Sequence, residues 1–468
     1  MDWVLLPTDA LFFCLLALAV VYAVRVARDP LQRAPWRAVF RQRTAAASAV
    51  VLAAFVLVAL LDSLHFRGGA PGGSSGAAYS GQVVSVLDRV LDPLRNGTER
   101  TYSAPFATHA FVKEPVELPD GRVVRLYPRL RHGGHHLAGP GAGRGADIAL
   151  RTVAGLALGL GAWLPLALGT LWWRARRAGR PIGEVISRVL RGRTVMPWRT
   201  VLVTWAVVFA TVGVLGSLSL NYHVLGTDKV GEDVLYQTIK SIRTGLLIGT
   251  LTTLVMLPFA LVLGLAAGYF RGWIDDLVQY LYTTLSSVPA VLLIAAAALM
   301  MDVYMANHPE AFASVVERAD ARLLFLCLIL GVTSWTNLCR LLRAETLKLR
   351  ELAYVEAAVA LGVSAPRILR RHVLPNVMHI VVISVILDFS ALVLAEAVLS
   401  YIQIGVDPTT YSWGNMINSA RLELAREPPV WWTLLAAMLF MFALVLCANL
   451  FSDAVQTAFD PRRSGALR

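Results

Sequence analysis

The chain has 468 residues, 56% of them hydrophobic and only 16% charged, with 43 basic side chains against 31 acidic ones for a formal charge of +12. An ordinary soluble domain is about 25% charged, and here the apolar residues fall in blocks of the roughly 20 residues that a hydrocarbon layer about 30 Å thick requires. Disorder, a collagen repeat, a disulfide scaffold and a single soluble core are excluded, which leaves an all-α polytopic membrane protein.

Nine spans are expected, at about 4–24, 45–64, 149–173, 199–220, 243–268, 276–300, 322–342, 376–400 and 430–452. The first reads as a retained span, because residues 1–8 carry no basic side chain and no small-residue cleavage site precedes Arg25 and Arg28. Orientation follows from the arginines. Six of them between Arg25 and Arg43 face only Asp29, and eight between Arg174 and Arg199 face only Glu184. By alternation, the segment 340–372 and the C-terminal Arg462, Arg463 and Arg468 lie on the same side, which is therefore read as cytoplasmic, with the N-terminus outside. These charges are topogenic rather than a nucleic-acid surface. Asp228, Glu232, Asp233, Asp302, Glu310, Glu317, Asp320, Asp407, Glu423 and Glu427 gather on the other side.

Residues 66–148 are expected outside, opening on a Gly/Ser-rich linker from Gly68 to Gly76 and closing on a glycine-rich tether from Gly139 to Gly145. Between them, Val83, Val84, Val86, Leu87, Val90 and Leu91 suit one amphipathic helix. Val116 to Leu126, with Pro119-Asp120-Gly121 at its middle, suits a hairpin. Asn96-Gly97-Thr98 fits a glycosylation sequon, with a turn as the simpler meaning. His132, His135 and His136, with His109 and His65, raise a metal site, but two glycines loosen the cluster and no cysteine or carboxylate stands at ligand spacing, so a solvated loop is preferred. Cys14, Cys327, Cys339 and Cys447 all fall inside apolar blocks. No Walker pattern is present, so the chain has no nucleotide site of its own.

The most informative stretch is 354–376. A helix over about 350–361 is expected to stop at Gly362, which enters the left-handed region at little cost. A second begins with Ser364 as N-cap and Pro366 in its first turn, and Pro375 marks entry to the next span. Glu356-Ala357-Ala358, Gly362 and Leu374-Pro375-Asn376 resemble the signature loop of ABC importer permeases. His372, where the general signature has an apolar residue, is similar to the variant of the peptide and nickel branch. His223 to Asp228 with Gly231 and Asp233, Gly268 to Asp275, Ser287-Val288-Pro289, Glu396 to Ser400, Ser412 to Met416 and Asp460-Pro461-Arg462 resemble the same branch in the same order, over about 220–463. Glu232 stands where the family usually has Arg, and Gln403 and Ser241 where Gly is common.

The resemblance implies a type I ABC importer transmembrane domain, the C-type permease of a peptide or peptide-like solute importer working by alternating access. Nickel chelates and peptide-like antibiotics remain open as cargo. It implies a B-type second permease, two ABC ATPases that hydrolyse the ATP, an extracytoplasmic binding protein, and no cofactor or metal bound directly. Glu356, Ala357, Ala358, Leu361 and Gly362 would couple to the ATPase. Asp388 and Glu396, eight residues apart in one span, are candidates for the translocation path or for buried hydrogen bonding, since a carboxylate in hydrocarbon needs a cavity or a partner. The glycine pairs Gly245/Gly249 and Gly264/Gly268 allow close helix approach, within the chain or to a subunit. A proton-coupled carrier would show two related halves, and none is visible. A membrane enzyme or sensor would need a base, nucleophile or metal set that the sequence lacks. The parts are then 1–65 (two spans), 66–148 (insert), 149–198 (third span and basic segment), 199–242 (fourth span and Leu-Gly-Thr-Asp segment) and 243–468 (permease core).

Overall fold

In hydrocarbon no water completes the backbone hydrogen bonds, so long apolar runs close as helices. The computed structural model describes residues 2–69, 79–117, 123–137, 143–311 and 314–459. Among these, eight helices are long and apolar enough to cross a membrane: Pro7–Arg28, Arg43–Ser63, Arg144–Ala178, Trp198–Ser219, Val234–Phe270, Ala290–Asn307, Ala365–Tyr401 and Trp432–Phe459. The span expected at 276–300 is two helices, Gly272–Ser287 and Ala290–Asn307. Pro289 holds Val288 extended and breaks the run. The span expected at 322–342 divides at Trp335 into Val315–Ser334 and Thr336–Arg350. Glu317, Arg318, Asp320 and Arg322 occupy the first turns of Val315–Ser334, which keeps it outside the eight.

The chain forms two compact units, and the division falls within the helix Val234–Phe270. The first comprises Met1–Val4, Arg37–Thr244 and Tyr411–Ala454. In it the helices Arg144–Ala178 and Trp198–Ser219 lie side by side, and Arg43–Ser63 packs on the latter. The insert is more extended than its composition suggests. Tyr79–Ser85 is a strand, antiparallel to His65–Gly69, which pairs in turn with Asp2–Val4. Val83 and Val84 therefore belong to the strand and not to the helix expected there. The helix Val86–Val90 begins only where Ser85 and Asp88 form a reciprocal capping box, with N–H to oxygen distances of 2.9 and 3.1 Å. The short helix Asp92–Asn96 ends at Gly97. Glu114–Glu117 and Val123–Leu126 pair as a hairpin, as expected. The Pro119-Asp120-Gly121 turn, most of both glycine-rich tethers and residues 460–468, with Asp460, Pro461, Arg462, Arg463 and Arg468, lie outside the described residues.

The second unit comprises Leu5–Trp36, Gly245–Thr410 and Val455–Arg468. Its first helix is tied to Val315–Ser334: the Thr8 backbone N–H donates to Asp320 at 3.1 Å and the Thr8 hydroxyl donates to the other carboxylate oxygen. Gly264 and Gly268 settle within the chain the question their spacing raised. An added Cβ at Gly264 would lie 2.9 Å from the Cys339 carbonyl oxygen, and one at Gly268 would lie 2.7 Å from that of Arg343, so Thr336–Arg350 rests directly on this glycine face. Gly249 likewise faces the Phe389 ring. The core of this unit runs from Met256 and Ala260 through Leu338, Cys339 and Leu342 to Val355, Ile368 and Val377.

Replacing Gly268 with Val should destabilise the chain by about 1–3 kcal/mol, because the obstructing atoms, the Thr346 Cβ at 2.6 Å and the Arg343 carbonyl oxygen at 2.7 Å, cannot swing aside. Thermal unfolding of the purified protein in detergent measures this, and an unchanged midpoint would contradict the packing.

Candidate functional site

The loop that carries the sequence signature is built on a fixed platform. Arg343 grips Asp275 with two nitrogens, Nη2 to Oδ2 at 2.7 Å, joining Thr336–Arg350 to the start of Gly272–Ser287. Arg350 Nη1 donates to the Tyr269 carbonyl at 2.7 Å, and Arg271 Nη2 donates to Glu351 at 2.6 Å. Each is a charge-assisted hydrogen bond, and the Arg343 pair is bidentate, which fixes orientation as well as distance.

From this platform the chain turns at Glu351 and Leu352 into the helix Ala353–Ala360. It starts three residues later than the expected 350, because Glu351 and Leu352 close turns onto Lys348 and Leu349 rather than continuing a helix. Val355 and Ala358, one turn apart, are buried in the core of the unit, while Glu356, Ala357, Leu361 and Gly362 face outward. Leu361 is 83% exposed. Gly362 has φ +74, its N–H donates to the Val359 carbonyl, and the Val363 N–H donates to Ala358. An added Cβ at Gly362 would meet no atom within 4 Å, so the backbone conformation, not space, demands glycine there.

Ser364 is the N-cap of Ala365–Ile368 but its side chain makes no capping bond. That second helix does not end before the next span. It widens through the π-helical turn Leu369–Val373, where the Leu374 N–H reaches back to the Leu369 carbonyl, and enters Leu374–Tyr401. Pro375, with no N–H and a ring that crowds the preceding turn, accounts for the widening. Asn376 Nδ2 closes the corner by donating to the His372 carbonyl at 2.7 Å and to the Tyr354 hydroxyl at 3.0 Å.

The two carboxylates on Leu374–Tyr401 part company. Glu396 is buried and accepts from the Ser400 hydroxyl at 2.7 Å, one turn on, where Gly405 packs against Ser400. Asp388 is half-buried and makes no hydrogen bond with the described residues. Gln403, in the segment that closes this helix end, has φ +65. Its N–H donates to Ser400 and that of Ile404 to Leu399, a helix-ending geometry that glycine adopts without strain.

In the first unit, the Leu-Gly-Thr-Asp segment is stitched to the insert. The Thr227 hydroxyl donates to the Thr101 carbonyl at 2.9 Å and accepts from the Ser103 N–H at 2.7 Å, and Trp432 Nε1 donates to the Thr227 carbonyl at 3.0 Å. His223 sits between two buried carboxylates, Nδ1 2.7 Å from Asp233 and Nε2 3.4 Å from Glu99. Glu99 also accepts the backbone N–H groups of Arg131, His132 and Gly133 at 2.9, 2.8 and 3.1 Å. Burial alone would lower the His223 pKa, but hydrogen bonds to Asp233 and Glu99 outweigh it and raise it to about 9. Burial would raise Glu99, but the bonds from His223 and the three N–H groups bring it to about 2.

The sequence reading missed Lys240, which lies 3.0 Å from Asp62 and 2.7 Å from Asp88 and joins the end of Arg43–Ser63 and the insert to the start of Val234–Phe270. It stands among Gln237, Thr238, Ser241 and Arg243, just before the span expected at 243–268, where a lysine carries no distinctive signal. The clustered imidazoles go to separate partners: His136 Nε2 lies 2.8 Å from Asp147, and His135 Nδ1 lies 3.0 Å from the His132 carbonyl. Among the described residues no group of three or more His, Cys, Asp or Glu side chains is placed to hold a metal ion.

Residues 260–465 match the family of the binding-protein-dependent transport system inner membrane component. The oligopeptide transport system permease protein OppC of Mycobacterium tuberculosis (strain CDC 1551 / Oshkosh) is 32% identical over 239 residues, 51% of this chain and 76% of the relative. The glutathione transport system permease protein GsiD of Pectobacterium atrosepticum is 30% identical over 240 residues, 51% of this chain and 73% of the relative. The dipeptide transport system permease protein DppC of Lactococcus lactis subsp. cremoris is 29% identical over 242 residues, 52% and 64%. The chain belongs to the ABC importer permeases of the peptide-transport branch, as a C-type membrane subunit with a type I transmembrane domain. Permeases of this family carry no ATPase site of their own and work with further subunits.

Gln403→Gly should raise stability by about 1 kcal/mol by relieving the left-handed strain, read as a higher unfolding midpoint. For His223, whose folded pKa is raised from 6.5 to about 9, the contribution is complete below pH 6.5 and is lost as pH rises through 9; for Glu99, lowered from 4.5 to about 2, it is complete above pH 4.5 and is lost as pH falls through 2. Unfolding midpoints should therefore fall on the alkaline side, and His223→Gln should flatten that limb while lowering the midpoint near neutrality. An alkaline limb unchanged in the variant would refute the assignment.

Proposed function

We propose that this permease imports peptides or peptide-like solutes, that the helix Ala353–Ala360 receives the stroke of a separate ATPase, and that this loop lies in the cytoplasm. The observation that carries the coupling role is the two-faced helix itself. Val355 and Ala358 lock one face into the core while Leu361, Glu356, Ala357 and the Gly362 turn present an apolar, singly charged knob outward. A rigid lever needs both properties, since a loosely held helix would absorb a partner's motion and a fully buried one could not receive it. The platform of Arg343–Asp275 and Arg350–Tyr269 passes displacement of the helix into the neighbouring spans.

On this reading a B-type second permease completes the path, two ABC ATPases hydrolyse the ATP, and an extracytoplasmic binding protein delivers cargo. The arginine-rich segments support a cytoplasmic assignment for the loop and an outside position for residues 66–148 and the N-terminus. Peptide cargo is supported by the oligopeptide, dipeptide and glutathione transport named for the relatives. Residues 243–468 form the permease core, and 1–65, 66–148, 149–198 and 199–242 are additions or flanks to it. Asp388 is the path candidate, since a half-buried carboxylate in a span is stable beside water or cargo. Glu396, paired with Ser400, holds the helix end instead.

Co-purification in mild detergent tests the coupling role. The wild-type chain should bring an ATPase and a second permease with it, Glu356→Lys and Leu361→Asp should lose the ATPase while keeping the permease, and Gly362→Val should cut transport about tenfold without loss of insertion, from a left-handed strain of about 1–2 kcal/mol. Retention of the ATPase by both surface variants, with full transport by Gly362→Val, would refute it.

A further inference from the structure

The segment between the third and fourth long helices lies outside residues 260–465, which match the family, and its arginines do more than populate a loop. The helix Ile182–Leu190 folds back between the end of Arg144–Ala178 and the start of Trp198–Ser219. A buried cluster of Leu171, Ala175, Val185 and Val189, with Trp198 and Leu202 against it, holds it there. Beside this cluster opens a cavity of about 320 Å³ lined by Arg174, Arg180, Arg188, Arg193, Val185 and Trp198. Four guanidinium groups thus share one pocket. Glu184 takes Arg188 at 2.7 Å and Arg180 at 3.8 Å, and no acid lines the pocket itself.

Arg174 is the telling residue. Its guanidinium stacks over the Trp198 ring at 4.2 Å, which fixes the plane of the fork. Its Nε is shielded from solvent and has no hydrogen-bond partner among the described residues. A guanidinium nitrogen left without a partner in a pocket of like charges is costly, and an anion with several acceptor oxygens removes both costs at once. Arginine forks match phosphate geometry.

We propose that this pocket binds the phosphate headgroup of an anionic phospholipid. The exposed apolar surface of the two helices that carry the pocket favours a lipid over a free phosphate. Leu164, Leu168 and Trp172 form an exposed apolar stripe at four-residue spacing along the helix that carries Arg174, and Val203 and Val207 continue the exposed apolar surface on the helix that carries Trp198. Trp172 and Trp173 are about half exposed and lie under Arg176 and Arg177 at 3.9 Å, the arrangement of side chains at a membrane–water boundary. Basic pockets between spans in this position suit acidic headgroups. A site of this kind ties the additional N-terminal spans to the acidic lipid of the bilayer.

Native mass spectrometry of the delipidated full chain, titrated with phosphatidylglycerol, phosphatidylcholine or inorganic phosphate, tests this. Phosphatidylglycerol should bind wild type at least about tenfold more tightly than phosphatidylcholine, and Arg174→Gln/Arg193→Gln should weaken it roughly thirtyfold, two arginines at the surface increment for each. Arg180→Gln/Arg193→Gln, which changes only exposed side chains, guards against misfolding of the first variant and should weaken binding similarly, with Arg89→Gln in the insert unchanged. Equal retention of phosphatidylglycerol by wild type and both double variants, or equal binding of the two lipids, would overturn the site. Displacement of phosphatidylglycerol by millimolar inorganic phosphate would overturn the lipid as its ligand in favour of a soluble anion.

Discussion

Two absent side chains set the position of the signature helix Ala353–Ala360. With no Cβ at Gly264 or Gly268, Thr336–Arg350 lies directly on the helix Val234–Phe270, at a distance any larger residue would forbid. Everything in the signature loop is referenced to that contact. Arg350 reaches the Tyr269 carbonyl at the end of Val234–Phe270, and Arg343 reaches Asp275 on the helix Gly272–Ser287 that follows it. The turn at Glu351 and Leu352 then delivers Ala353–Ala360 with Val355 and Ala358 inward. Packing in lipid gains little from burying apolar surface, so close backbone approach and fixed polar contacts carry the specificity.

The first unit solves a different problem, that of holding a polar insert to the ends of apolar helices. Its solution is buried charge in matched groups: Lys240 between Asp62 and Asp88, and His223 between Asp233 and Glu99. Removing one member of such a group leaves its partner's charge buried and uncompensated, which costs more than the intact pair contributes. The insert and the helix Arg43–Ser63 are therefore fastened to the start of Val234–Phe270 by paired charge. Lys240 stands on the same helix whose later turns carry Gly264 and Gly268.

Legibility in the sequence followed the range of the interaction. Apolar run length fixed the class and most of the spans, and the spacing of Glu356, Gly362 and Leu374-Pro375 located the loop, because both signals lie within a few turns of chain. The errors were also local in origin. Val83 and Val84 fit a helical stripe and a strand equally well, and the pairing with His65–Gly69 that chose the strand lies outside any short window. Pro289 is visible in the sequence, but the apolar run continues across it, so run length alone does not mark the break between Gly272–Ser287 and Ala290–Asn307.

The sequence by itself determined the membrane class, the family and the place of the signature loop, since composition, run length and short motifs are written in consecutive residues. Only the tertiary structure decided which face of that loop is buried, that Glu396 is held by Ser400, that the glycine pair serves a contact within the chain, and that four arginines share one pocket. Those facts depend on side chains brought together from distant segments, and one-dimensional periodicity carries no record of which distant partner a face will meet.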